Sequence, residues 1–409
     1  MNEFNKFYKD KRFYLPILIL IFFELILETG IYTPFLKKNS YAANINRITN
    51  HVLSNRINHN PDILVLGTSV AFQGLSPKIL QEIIEPTGLK VQSIAIPGSE
   101  LIVQHLASKR LLEEFKDVKY LIYVGEVTMP WVSQTGLGLP TLAMISEFPR
   151  MSVLPLLSEF EYGSKFKIPL IDHEFITHYG FSDVSYILFK SIAYRRDFND
   201  FILDPGKRIK YISRDRKNPN NNFYYFENQS TERMSSYNFQ SLEDCVNQTK
   251  DYTNPPYPEN SNSDHKKAIY DTCALSISTI QLLSPVESAP VADTDSTRLY
   301  FKRLQWVLEN YTSRDIKVLT VFAPYSYTMG KIGGERKMQV WKREVSSILK
   351  ENNAGILDLQ DLFQSEDSNL YCYDTIHLNN DGMKKFSKAL GEFLLNEIYL
   401  GKVDGKKRN

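Results

Sequence analysis

The chain has 409 residues, is 43% hydrophobic and 12% aromatic, and carries a formal net charge of +1. That is enough apolar chain for one large or two modest domains, and it excludes a chain disordered throughout. The near-neutral charge, with no long basic stretch interleaved with aromatics, gives no reason to expect a nucleic-acid partner.

At the N-terminus Lys6, Lys9, Lys11 and Arg12 precede the apolar run Phe13 to Leu27, and a mixed segment continues to Leu36. A hydrocarbon core takes roughly 20 helical residues to cross, and a basic flank stays on the cytoplasmic side. Residues 1–38 are therefore expected to be a cytoplasmic tail and a transmembrane anchor, with the main domain extracytoplasmic, in a periplasm or in open medium. The small residues Ala42-Ala43 come only after Lys37-Lys38, too distant for a cleavage site, so the segment is expected to be retained. Glu24 and Glu28 are unusual here, because an intramembrane carboxylate is costly and often functional. At i, i+4 they share one face. That face suits another membrane protein, or else both lie near the outer interface.

Residues 39–60 are polar with scattered apolar positions and read as a stalk or short helix. Ile63-Leu64-Val65-Leu66 is a continuous apolar run ending at Gly67, the mark of a strand buried on both faces of a parallel sheet. A helical pattern follows from Ser76 to Ile84, with Pro77 just inside its start. Strand Val91 to Ile96 ends at Pro97-Gly98, a helix spans Leu101 to Phe115, and strand Tyr120 to Val124 ends at Gly125. This alternation is the signature of a parallel α/β sheet.

Residues 131–297 break the regularity, with strong loop signals at Asn218 to Asn222 and Asn254 to Ser263. They read as an insertion or cap, with helical stretches near Val184 to Tyr194 and Ala268 to Leu282. Cys245 and Cys273 lie there. Outside the cytoplasm they could pair, and two free thiols are the alternative. His173 and His178 flank Glu174, but their i, i+5 spacing is not that of a helical zinc pair, so no metal or cofactor is expected. Trp131 and Trp341 read as packing residues rather than sugar platforms.

The α/β pattern resumes over 298–400. Helix Leu299 to Tyr311, strand Lys317 to Phe322, helix Met338 to Glu351 and strand Gly355 to Leu359 lead to Asp374-Thr375-Ile376-His377. A last helix runs from about Asp381 to Tyr399, and residues 401–409 are a polar tail. The expected fold is α/β: a three-layer, flavodoxin-like sheet of about five parallel strands, with residues 61–130 and 298–400 as its two halves. Sites in such sheets lie beyond the carboxyl ends of the strands, where Gly67, Gly98, Gly125, Pro324 and the His377 loop all fall.

Ser69 leaves the first strand on a glycine turn. A hydroxyl nucleophile is weak near neutral pH and needs a base, which His377 can supply, with Asp374 orienting the imidazole. Either motif alone is commonplace: Gly-Thr-Ser is often an ordinary turn, and the alternative for the second is that Asp374 or Asn380 simply caps a turn, with His377 a surface residue. In combination, Gly67-Thr68-Ser69 after the first strand, Ile94 to Ser99 around Gly98, and Asp374-x-x-His377-Leu378 with Gly382 before the last helix resemble the SGNH (GDSL-like) hydrolase superfamily. That resemblance implies a catalytic triad of Ser69, Asp374 and His377, and an oxyanion hole drawn from the N–H groups of Ser69 and Gly98. Two positions depart from the pattern. Thr68 replaces the family's Asp, and the third strand ends Gly125-Glu126-Val127-Thr128 without the family's Asn. Thr128 and Gln73 are weak substitutes for that donor, and the Glu126 carboxylate is expected to point elsewhere.

The resemblance to anchored envelope proteins of this superfamily implies a serine esterase or O-acyltransferase. It would act on acylated glycans or lipids, beside a membrane-bound acyl donor protein in the transferase case. A lipid-directed esterase would want an apolar groove, hinted at only by Leu154 to Leu157 and Ile168 to Leu170. A different class stays open: a non-catalytic anchored protein that binds glycan or a membrane partner.

Overall fold

A computed structural model describes residues 11–36, 40–126, 139–150, 152–154, 185–210, 295–326, 335–363, 370–374 and 376–407. Thr128, Trp131, His173, Glu174, His178, Cys245 and Cys273, the apolar residues beyond Leu154, and the expected helix over 268–282 lie outside the described residues. The described residues fall into two compact units, one within 1–47 and 136–221 and the other within 48–135 and 222–409.

In chain order the elements are α1 Lys11–Glu28, α2 Tyr41–Ser54, β1 Ile63–Leu66, α3 Ser69–Gly74, α4 Pro77–Ile84, β2 Val91–Ser93, α5 Leu101–Glu114 and β3 Tyr120–Gly125. Then come α6 Leu139–Ile145, α7 Lys190–Ala193, α8 Arg195–Leu203, α9 Asp295–Thr312, β4 Lys317–Phe322, α10 Glu335–Glu351, β5 Gly355–Asp358 and α11 Asn380–Lys407. The five strands form one all-parallel sheet in the order β2-β1-β3-β4-β5. The fold is thus α/β, and the strand order is consistent with a flavodoxin-like arrangement.

All four side chains of β1 are fully buried, as the unbroken apolar run requires of a central strand. Each such side chain contributes roughly 1.5–3 kcal/mol by leaving water. β2 is shorter than the expected 91–96, although Ile94 and Ile96 still donate backbone hydrogen bonds to Val65 and Gly67 (2.8 and 3.0 Å). The chain therefore stays beside β1 up to Pro97, which has no N–H to continue a ladder.

Helix packing draws the distant ends of the chain together. α11 packs against α4 and α3. The Ser387 hydroxyl accepts a hydrogen bond from the Ser76 N–H at 2.8 Å, and Gly391 leaves room for Ile83. α5 packs against α9, joined by Tyr311 Oη donating to Ser108 (2.7 Å) and Arg314 donating to the Leu112 carbonyl (2.7 Å). Trp341 of α10 is fully buried against the Phe322 ring and beneath Gly125, a packing residue rather than a platform.

In the other unit, α1, the Thr33–Phe35 turn, the start of α2 and α8 share a core of Leu27, Tyr32, Leu36, Ala42, Ala43 and Tyr194, with Phe198 packed on it. The Glu24/Glu28 face of α1 meets other residues of this chain. Glu24 accepts from the Lys190 and Ser191 N–H groups (3.0 and 2.9 Å) and from the Ser191 hydroxyl, and Glu28 pairs with Arg150 and Lys190. Among the described residues no helix is by itself long and apolar enough to cross a membrane. α1 spans 18 residues and carries both glutamates near its end.

Gly67 is the tightest point under the Ser69 turn. A Cβ there would come within 2.6 Å of the Ala71 side chain and 2.9 Å of the Val124 carbonyl, at a φ of +157°. Gly67→Ala is expected to cost about 2 kcal/mol or more, which lowers Tm by about 4–8 °C. Gly206→Ala, whose Cβ would meet nothing, should leave it unchanged. Thermal melts of the two variants check this, and a Gly67→Ala melt superimposing on wild type would contradict the tight approach.

Candidate active site

Ser69 is the first residue of α3, directly beyond the carboxyl end of β1. Thr68 is the N-cap. Its hydroxyl accepts a hydrogen bond from the Val70 N–H (3.3 Å), the task an Asp performs equally well at this position. The Thr-for-Asp difference thus leaves the turn intact. Ser69 itself stays partly accessible.

His377 and Asp374 come from a loop folded back on itself. Cys372 and Leu378 form an isolated antiparallel bridge, and the Tyr373 N–H donates to the His377 carbonyl at 2.9 Å. The loop is fastened to α11 by Asn379. Its carbonyl oxygen caps the helix by accepting from the Asp381 and Gly382 N–H groups (3.1 and 3.0 Å), while its amide donates to the Leu370 carbonyl (2.7 Å). The helix cap is therefore Asn379 rather than Asn380; Asp374 does cap its own turn through one carboxylate oxygen, and its other oxygen is left for the His377 ring. Gly382 is required because a Cβ would sit 2.1 Å from the Tyr371 carbonyl oxygen.

Asp374, Ser69 and His377 meet as one hydrogen-bonded relay. His377 Nε2 lies 2.8 Å from Ser69 Oγ, across 308 residues of sequence, and Nδ1 lies 2.7 Å from Asp374 Oδ2. An ionised carboxylate only accepts, so Nδ1 carries the hydrogen and Nε2 is left to accept from the Ser69 hydroxyl. Asp374 Oδ1 also accepts from the His377 and Ile376 N–H groups (2.7 and 2.9 Å). Burial would raise the Asp374 carboxyl, but the nearby His377 charge and these hydrogen bonds override it and hold the group below 3.8. Burial likewise pulls His377 down, but Asp374, with a further contribution from Glu126, holds it above 6.5.

Gly98 is exposed, with φ +71°. The Ile96-to-Gly67 hydrogen bond places it on the strand end adjacent to the Ser69 turn. Among the described residues no protein acceptor takes the Ser69 or Gly98 N–H, so both donors are open to an incoming group.

Glu126 departs from expectation. Its carboxylate is turned to the site and accepts a hydrogen bond from the Thr68 hydroxyl, one residue before Ser69. The sequence signal was available: Glu126 follows β3, the strand hydrogen-bonded to β1, so it emerges at the same sheet edge. Compared with known proteins, the chain matches no protein-family model and no curated sequence.

These charges set two pH dependences. If the relay works as a nucleophile and its base, His377 must be neutral to accept a proton, and the acid limb of the rate profile should have its midpoint above 6.5. Glu126→Gln should move that midpoint down, and a pH–rate profile that does not move would separate Glu126 from the imidazole. For stability, the depressed Asp374 contributes above 3.8 and its contribution is lost as pH falls through its folded value. The raised His377 contributes fully below 6.5 and its contribution is lost as pH rises through its folded value. Asp374→Asn should therefore lower Tm more at about pH 5 than at about pH 9, as thermal melts would read directly.

Proposed function

We propose that this protein is a membrane-anchored, SGNH-type serine esterase or O-acyltransferase acting on acyl esters of cell-envelope glycans or lipids. In this reading the helices cover both faces of the sheet in a three-layer α/β/α domain, the N-terminal helix anchors it, and residues 131–297 form an insertion. The single observation that carries the reading is the continuous Ser69–His377–Asp374 hydrogen-bond relay.

In the proposed reaction Ser69 Oγ attacks the ester carbonyl carbon as its proton passes to His377 Nε2. The carbonyl oxygen becomes an oxyanion facing the Ser69 and Gly98 N–H groups. Collapse breaks the bond to the alkoxy group, which leaves with the proton from His377, and the acyl group remains on Ser69. A water or a sugar hydroxyl, deprotonated by His377, then attacks the acyl-enzyme, and the proton returns to Ser69. Esterase and transferase differ only in that acceptor, and a transferase would draw its acyl group from a membrane-bound donor protein. Each oxyanion donor is worth about 100–1000-fold in rate, so the absent Asn after β3 places a heavier demand on these two. The assembled relay weighs against a purely binding role.

Hydrolysis of p-nitrophenyl acetate by the detergent-solubilised full chain tests the reading. Ser69→Ala and His377→Ala should each lose more than about 1000-fold in kcat/KM. Equal rates in wild type and both variants would overturn it.

A further inference from the structure

We propose that the membrane-embedded part of this protein is α1 together with the segment 185–210, whose helices lie in the outer leaflet beside the second half of α1. This rests on the anchor reading above and adds a second lipid-contacting segment, drawn from the insertion.

The uncharged run Phe13 to Phe23 is about 16 Å long at 1.5 Å per residue, roughly half of a 30 Å hydrocarbon core. With Lys11 and Arg12 at the inner headgroups, Glu24 falls within the outer half of the bilayer. A carboxylate at that depth requires partners from the protein, since lipid offers none. Glu24 has them in the Lys190 and Ser191 N–H groups and the Ser191 hydroxyl, and Glu28 has Arg150 and Lys190. α7 must therefore share the depth of Glu24. α8 continues along the same half of α1, with the Phe198 ring 5.6 Å from Phe23 and the Phe201 ring 6.5 Å from Phe35.

Part of the outward surface of this segment is apolar. Ile202, Leu203 and Ile209 are 73%, 75% and 55% exposed, and Phe189 is exposed as well. They extend the exposed apolar surface of Leu25, Ile26, Ile31 and Phe35. In the sheet-bearing unit, among the described residues, the exposed large hydrophobics are only Ile57 and Ile356. One ion pair of the segment is turned inward: Arg208 pairs with the buried Asp197 (3.3 Å) and donates to the Phe35 carbonyl (3.0 Å). Arg195, Arg196, Asp200 and Asp204 are exposed, so α8 must lie at headgroup level, with only its apolar side chains reaching into the hydrocarbon. Exposed Lys207 and Lys210 flank Ile209, the pattern of cations meeting anionic headgroups beside a buried apolar residue.

The test is depth-dependent quenching on the full chain. In a Cys245→Ser/Cys273→Ser background, where Cys372 is fully buried with its thiol pushed well up by that burial, an environment-sensitive fluorophore is placed on Leu203→Cys, Leu18→Cys or Lys78→Cys. The protein is reconstituted without any other protein into vesicles of phosphatidylcholine and phosphatidylglycerol carrying spin-labelled acyl chains. The Leu203 label should shift to the blue and lose most of its emission, as the Leu18 label does, while the Lys78 label stays bright. A bright Leu203 label with a quenched Leu18 label would overturn the proposal, leave the anchor standing and reassign the apolar surface to a protein partner. Bright labels at all three positions would overturn both.

Discussion

A buried carboxylate governs the end of the sheet that carries the Ser69–His377–Asp374 relay. Asp374 is 1% exposed, and a charge taken that far from water must be matched by hydrogen bonds and a counter-charge. Its matches all come from two residues, the N–H of Ile376 and both the N–H and imidazole of His377. The demand of one charge thus folds the loop and sets the ring orientation together. Removing one member of such a buried pair costs about 3–5 kcal/mol, so loop order and relay geometry are expected to fail together. The loop holds the imidazole, and the packing of α11 on α3 and α4 brings it to the Ser69 hydroxyl. Ser69 and His377 meet because the helices that begin beside them are packed side by side, an arrangement that survives 308 intervening residues.

The second electrostatic feature is the Thr68–Glu126 pair. Thr68 caps α3 with its lone pair and holds Glu126 with its proton. A hydroxyl supports both roles because it donates and accepts, whereas an ionised Asp would only accept and would repel Glu126. The Thr at this position and the Glu that ends β3 therefore make sense as a pair. In the proposed reaction, Glu126, by helping to raise His377, would make the imidazole a stronger base toward Ser69 and its cation a weaker acid toward the leaving group. The same charge opposes an oxyanion nearby, so the proposed chemistry favours esters whose alcohols leave with little help.

The sheet was legible in the sequence because a strand buried on both faces is mostly continuously apolar: Ile63–Leu66 and the Leu121 to Val124 run announce themselves in this way, and β4 does so from Val318 on with Thr320 as its one polar residue. The relay was legible because its two halves sit at fixed places in the alternation, after the first strand and before the last helix. α8 was not anticipated. Its apolar residues, Phe198, Phe201, Ile202 and Leu203, interrupt rather than follow a helical stripe, because some face α1 and others face outward. Glu126 was misread because a carboxylate beside an oxyanion looks unfavourable by itself, and its partner, Thr68, lies 58 residues away with no local pattern to link them.

The glutamates of α1 show the same principle at the other end of the chain. Read as isolated residues in an apolar run, Glu24 and Glu28 argue against a membrane helix. Read with α7 and Arg150, they become the polar seam of a larger apolar body, since Glu24 is fully hydrogen-bonded by Lys190 and Ser191. Backbone N–H groups can satisfy a carboxylate only if their helix start is held close to it, and the Tyr32–Tyr194–Phe198 aromatic cluster supplies that hold. In the proposed anchor, a carboxylate that would expel a lone helix from lipid thus selects which part of segment 185–210 must accompany that helix.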